Sequence, residues 1–195
     1  VYKGINHNLT REFNKWTNLI KKPRKKKYKR KPKSKLQKTE HFHRHKHRIP
    51  GIILGAVDDR EIIYGARALN KRFPHYLDRH TEDFDIFTSH PRKDALQTER
   101  RLDKAFGGDF FFVKQAVHPG TWKVKDNVTG ETRADYTKPD KVIPFNRIGG
   151  RKYVTLSFVK SHIRKTLKDP DAKYRWERDR DALNRILIFE KMRRR

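Results

Sequence analysis

Asp83 and Asp85 stand two residues apart in Glu82-Asp83-Phe84-Asp85-Ile86-Phe87. The alternation of apolar and acidic residues predicts a strand, on which positions two apart share a face. Both carboxylates then project one way, and Phe84 and Ile86 project the other way into a core. Two ionised carboxylates side by side repel each other unless a cation sits between them. A hard divalent ion such as Mg2+ takes carboxylate oxygens together with substrate phosphates. A pair of such ions ~3.5–4 Å apart clamps the attacking and leaving oxygens of phosphoryl transfer. An Asp-x-Asp by itself is common on surface strands, so the weight comes from its surroundings. Upstream, Gly65-Ala66 closes a predicted strand (Glu61-Ile62-Ile63-Tyr64-Gly65) and opens a helical stretch. The order is strand, glycine turn, helix, carboxylate strand. Backbone N–H groups at such a turn and helix start can cradle phosphates.

The elements that must position these groups are legible from periodicity. Residues 52–57 form a short buried segment. Residues 66–73 suit a helix, with Leu69 and Phe73 four apart on one face. Pro91 opens a longer helix whose inner face is Ala95, Leu102 and Phe106, and Gly107-Gly108 ends it. Residues 109–114 and 121–126 read as strands, 127–130 as a turn, and 131–137 as the returning strand of a hairpin. A second helical block runs from about 153 to 167, with Leu156, Val159, Ile163 and Leu167 on one face. Asp169-Pro170 breaks it, and a last helix covers 173–192. The prediction is a mixed α/β sheet followed by C-terminal helices.

With these elements placed, Gly65-Ala66-Arg67-Ala68-Leu69 followed by Arg79-x-Thr81-x-Asp83-x-Asp85 resembles the minimal nucleotidyltransferase fold of the DNA polymerase β superfamily. Its closest flavour is the AbiEii-type toxin group and viral poly(A)-polymerase-like proteins. The resemblance covers roughly residues 51–188 and is sharpest at the Asp-x-Asp strand. It implies NTP as a substrate, with phosphates near Gly65, Ala66 and Arg67 and contacts from Arg79 and Thr81. It implies two Mg2+ ions, held by Asp83, Asp85 and a third carboxylate on a later neighbouring strand. Asp135 is best placed for that third position; Asp126 and Asp109 are weaker candidates, each at a strand end. The family's C-terminal cationic cluster is similar to residues 174–183, with Arg175 and Arg178 facing the triphosphate and Lys160 as the upstream lysine. Two departures stand out: Gly65 is followed by Ala66 where the family has glycine or serine, and the segment from turn to carboxylates is long, so a loop near Pro74-His75 must bulge.

Charge supplies the partner. The 195 residues carry 50 Lys and Arg against 23 Asp and Glu, a net charge of +27. Residues 1–50 hold 18 of those bases and, as acids, only Glu12 and Glu40, a local charge of +16. The cations Lys21, Lys22, Arg24, Lys25, Lys26, Lys27, Lys29, Arg30, Lys31, Lys33 and Lys35 form a run that opposes both helix and packed core. It reads as an arm for RNA or DNA, sequence-tolerant and salt-sensitive. The expected division is a basic arm over 1–49 and a nucleotidyltransferase-like domain over 50–195. Within the arm, Phe13, Trp16 and Ile20 mark a short amphipathic helix, either packed back or docked on a partner. His41, His43, His45 and His47 alternate, as they would on one face of an extended strand; a metal cluster and a basic continuation of the arm are the two readings.

Other constellations are weaker. His118 reads as a loop residue or an imidazole beside the site, and Phe110, Phe111 and Phe112 as core or a stacking platform. Tyr136 and Lys138 read as contacts to nucleobase and phosphate or as a solvated strand end, and Arg147 to Arg151 as a basic loop or a plain turn. No cysteine is present, which removes disulfides, thiol catalysis and Cys-based zinc sites. No apolar run reaches the ~18 residues of a membrane span, and the N-terminus has no signal-peptide pattern. The expectation is a soluble intracellular protein in contact with nucleic acid. Transfer of NMP from NTP to a nucleic-acid acceptor, RNA in preference, is the leading function. The alternative is a catalytically idle fold serving as a structural nucleic-acid-binding component of a large nucleoprotein particle, a ribosome or virion.

Overall fold

The computed structural model describes residues 34–194. The readings for the basic run up to Lys33 and for the Phe13/Trp16/Ile20 stripe lie outside these residues. Seven strands form one mixed sheet: β1 (Ile62–Tyr64), β2 (Phe84–Phe87), β3 (Phe111–Gln115), β4 (Thr121–Asp126), β5 (Thr132–Thr137), β6 (Phe145–Ile148) and β7 (Arg151–Val154), in the order β3-β4-β5-β2-β1-β7-β6. β2 runs parallel to β5 and antiparallel to β1, and β1 runs parallel to β7. The helices are α1 (Lys35–His45), α2 (Ile49–Ala56), α3 (Gly65–Asn70), α4 (Pro91–Phe106), α5 (Leu156–Thr166) and α6 (Trp176–Arg193). No helix of the described residues is long and apolar enough to cross a membrane.

One face of the sheet is dry. Phe84 and Ile86 of β2, Val124 of β4, and Ala134 and Tyr136 of β5 pack against Phe42 of α1, Ile49 and Ile53 of α2, and Ala95, Leu102 and Phe106 of α4. α4 follows its sequence signals closely. Pro91 sits in its first turn, and Gly107 ends it at φ +72, where its N–H reaches the Asp103 carbonyl at 2.8 Å.

Three readings are corrected. Residues 52–57, read only as a buried segment, are mostly the helix α2, and the folded unit begins before Pro50. Phe42 is fully buried and anchors α1 to the sheet. The His41–His47 stretch is therefore helix and 3-10 turn, not strand. His41 and His45 meet four residues apart, ring to ring at 4.6 Å, and the His41 ring is hydrogen-bonded with the Phe106 carbonyl at 3.0 Å. Lastly, Tyr153 and Val154 belong to β7. Gly149 and Gly150, at φ +57 and +79, make the two-residue turn of a β6–β7 hairpin, and α5 starts only after Thr155, whose hydroxyl accepts from the Phe158 N–H.

Candidate active site

On the other face of the sheet the same strands present a different row. Tyr64 of β1 stands opposite Asp85 of β2, Asp85 opposite Asp135 of β5, and Asp135 opposite Lys123 of β4. Asp83 lies just ahead of β2. Across from this row stand α5 and α6, joined to each other and to α3 through Leu69, Phe73, Ile163 and Ile186. Between sheet and helices opens a cleft of about 840 Å³. Gly65, Ala66, Thr81, Asp83, Asp85, Asp135 and Lys123 line its sheet side; Arg175 and Arg178 line its helical side, with Arg79, Lys141 and Lys165 also on its walls. A negative floor thus faces a positive wall.

The local geometry follows from a few side chains. Gly65 has φ +67, and a Cβ there would lie 1.9 Å from Asp85 Oδ2. Only glycine allows the turn to come this close to the carboxylate. Arg67, in the first turn of α3, points away from the cleft. Its Nε donates to the Asp83 carbonyl at 2.7 Å, its Nη2 donates to the Thr81 carbonyl at 3.1 Å, and its guanidinium lies 3.7 Å from the centre of the Phe84 ring. Asn70 holds Arg79 by a reciprocal pair, donating from Nδ2 to its carbonyl at 2.7 Å and accepting its N–H at 3.1 Å. α3 is thus a clamp on the segment that leads into the carboxylate strand. Thr81 Oγ1 donates to Asp83 Oδ1 at 2.5 Å and fixes that side chain.

Electrostatics at the floor are unbalanced. Burial, then the like charges of Asp83 and Asp135, push the Asp85 carboxyl up to about 7; Arg178 and Arg175 pull the other way. Burial also raises Asp135, against the pull of Lys123, whose Nζ lies 3.1 Å from Asp135 Oδ2. Four buried side-chain atoms among the described residues find no hydrogen-bond partner in the chain: Asp135 Oδ1, Arg175 Nε, Asp179 Oδ2 and Arg185 Nη2. All four belong to residues that line this cleft. Unpaired buried polar groups are costly and rare. Their concentration here marks a surface built to meet a polar ligand. No three carboxylate or imidazole groups of the described residues close on a single point as a ready-made metal cage.

Of the residues singled out from sequence, Gly65, Ala66, Arg79, Thr81, Asp83, Asp85, Asp135, Arg175 and Arg178 come together at the cleft. Two do not. Arg67 is spent on backbone carbonyls, and Lys160 pairs with Glu190 at 2.8 Å away from the cleft. Tyr136 is fully buried on the dry face, its hydroxyl 2.5 Å from Thr98 Oγ1, so it meets no nucleobase. Asp126 is a turn-holder: its Oδ1 accepts the N–H groups of Val128 and Thr129, and its Oδ2 accepts from Arg133. Phe110 and Phe111 are core. His118 lines the cleft.

Sequence reasoning passed over Tyr64, Lys123 and His162. Tyr64 stacks on Phe87 at 3.9 Å and shares a hydrogen bond with Thr137 Oγ1 at 3.1 Å, which lays a flat floor beside the carboxylates. His162 lines the helical wall, and burial, followed by the charge of Arg175, lowers its pKa. Period-2 alternation pointed to Tyr64 as Asp85's neighbour only once β1 and β2 were known to pair antiparallel.

No family model matches the chain, and no curated protein does. Solved structures do. The chain is similar to the Megavirus polyadenylate synthase with a TM-score of 0.63 at 18% identity, over 97% of this chain and 39% of that one. JHP933 from Helicobacter pylori aligns over 75% of this chain and 64% of its own, with a TM-score of 0.40 at 14% identity. MenT4, a nucleotidyltransferase toxin of Mycobacterium tuberculosis, aligns over 70% and 55%, with 0.36 at 17%. This chain therefore spans about two fifths of the polyadenylate synthase it matches, and it shares that protein's fold. That shared fold is a mixed α/β sheet followed by C-terminal helices, as expected from the sequence.

Proposed function

We propose that a chain with this fold and this cleft transfers a nucleoside monophosphate from an NTP to a hydroxyl of a nucleic-acid acceptor, RNA in preference. The observation that carries the reading is the opposition, across one cleft, of Asp83, Asp85 and Asp135 on the sheet side and Arg175 and Arg178 on the helical side, with Arg79 also on its wall. A triphosphate with a bound cation is the common ligand that satisfies both sides. The guanidinium groups bind the phosphate oxygens, and Gly65 lets the backbone approach them. The Tyr64–Phe87 stack supports the reacting end.

The donor set fits a hard divalent ion. It consists of carboxylate oxygens, and the like charges of Asp83 and Asp135 around the buried Asp85 leave it overloaded with negative charge. Mg2+ held by Asp83 and Asp85 would supply charge neutralisation at the transferring phosphorus. The acceptor oxygen bonds to the α-phosphorus, the bridge to the β-phosphorus breaks, and pyrophosphate leaves. Asp135 Oδ1 takes the hydroxyl proton. The protein's work is positioning and electrostatics. The basic run from Lys21 to Lys35 holds the acceptor backbone without reading sequence.

Incubating the full chain with labelled NTPs, Mg2+ and RNA tests the reading. Incorporation that requires Mg2+ and is lost in Asp83→Asn is the expected result. Equal incorporation by wild type and Asp83→Asn rejects the assignment.

A further inference from the structure

Among the described residues, Lys123 is the one cation in an ion pair with a carboxylate of the floor: its Nζ lies 3.1 Å from Asp135 Oδ2. It gets there by register. Lys123 stands directly opposite Asp135 on the neighbouring strand, so its stem rises from the same floor beside its partner. Both side chains are largely covered, 35% and 19% exposed, and a pair at this depth is poorly screened by salt. The remaining oxygen, Asp135 Oδ1, has no partner in the chain. Asp83, by contrast, is held by Thr81 on Oδ1 and has no ion pair among the described residues.

The geometry points to Lys123 as a built-in replacement for a second divalent ion: the site takes one Mg2+, on Asp83 and Asp85, while the ammonium supplies the positive charge at Asp135. This rests on the reading of the cleft as a metal-dependent nucleotidyl-transfer site and sets its metal count. Mg2+ binds carboxylate oxygen at ~2.0–2.1 Å and keeps much of its water shell. An ion on Asp135 would have to share one carboxylate with an ammonium already hydrogen-bonded to it. One divalent ion and one ammonium balance the three carboxylates.

Mn2+ is the probe. The full chain is loaded with Mn2+ and a non-hydrolysable NTP analogue, and its low-temperature electron paramagnetic resonance is recorded. Two ions ~3.5–4 Å apart give an exchange-coupled spectrum, and an isolated ion gives six lines. Wild type is expected to show the isolated ion, Lys123→Met the coupled pair, and Lys123→Met with Asp135→Asn the isolated ion again. Lys123→Arg, which keeps the cation, stays mononuclear, and Lys123→Gln serves if the methionine variant does not fold. A coupled pair in wild type overturns the inference while leaving the nucleotidyl-transfer reading intact. An isolated ion in both neutral variants overturns it equally. No protein-bound Mn2+ in any form overturns the inference together with the reading beneath it.

Discussion

The two faces of the central sheet are made from the same strands and solve opposite problems. On β2, Phe84 and Ile86 are buried against α1, α2 and α4, while Asp85 between them faces the cleft. On β5, Ala134 and Tyr136 join the dry core, while Asp135 and Thr137 line the cleft. Even the dry face carries polar groups, but each finds a partner: Tyr136 has Thr98, and Asp94 accepts from Thr88 Oγ1 at 2.5 Å. The cleft face leaves buried polar atoms unmatched and like charges adjacent. The difference shows that stability and chemistry are divided by strand parity. One face lowers the free energy of the fold, and the other holds charges that the fold alone does not satisfy.

The largest expected effect comes from forcing the two demands into one position. Gly65→Ala puts a methyl 1.9 Å from Asp85 Oδ2 at a left-handed φ of +67. The variant should lose about 3 kcal/mol or more of stability and at least about 1000-fold in transfer rate, some 4 kcal/mol of barrier. Urea unfolding and incorporation assays read the two losses. A variant that keeps wild-type stability would show that the turn is looser than described.

A smaller and opposite effect belongs to Asp85→Asn. The Asp85 carboxyl is pushed up to about 7 by burial and by its acidic neighbours. Its folded value lies above the ~3.9 of an exposed aspartate, so folding favours the protonated form. The stabilisation is complete below pH ~4 and is lost as pH rises through 7. The amide does not ionise. In chelator-treated buffer the variant should therefore gain on wild type as pH rises from 4.5 to 8, by about 2–4 kcal/mol. Urea midpoints across that range measure the gain, and a constant difference would mean that Asp85 is not strained by its setting.

This division explains what could be read from the chain. Strand parity made Asp83 and Asp85 legible, because Phe84 and Ile86 announce the buried side between them. Pro91 and Gly107 bracketed α4 because φ preferences act locally. The β6–β7 hairpin stayed hidden, because Arg147, Lys152 and the half-exposed Phe145 give no clean alternation at a sheet edge. Its signal was the Gly149-Gly150 pair. The histidine run misled, because alternation in sequence does not force an extended backbone when Phe42 can anchor a helix. Arg67 misled because a cation in a glycine turn suits phosphate as well as it suits two backbone carbonyls. Lys123 could not have been found by counting outward from the hairpin turn. The β4–β5 register slips between Val124 and Lys125, and without that slip Lys123 would face Ala134 in place of Asp135.

The most direct test of the central claim compares two neighbours on β2. Asp85→Asn and Ile86→Val change adjacent residues on opposite faces. Mg2+-dependent incorporation of labelled NTP into RNA, corrected for the folded fraction, is measured for both beside wild type. The account predicts that Asp85→Asn folds and loses incorporation by about 1000-fold, while Ile86→Val gives up ~0.5–1.5 kcal/mol of stability and transfers at the wild-type rate per folded molecule. Undiminished incorporation by Asp85→Asn would contradict it.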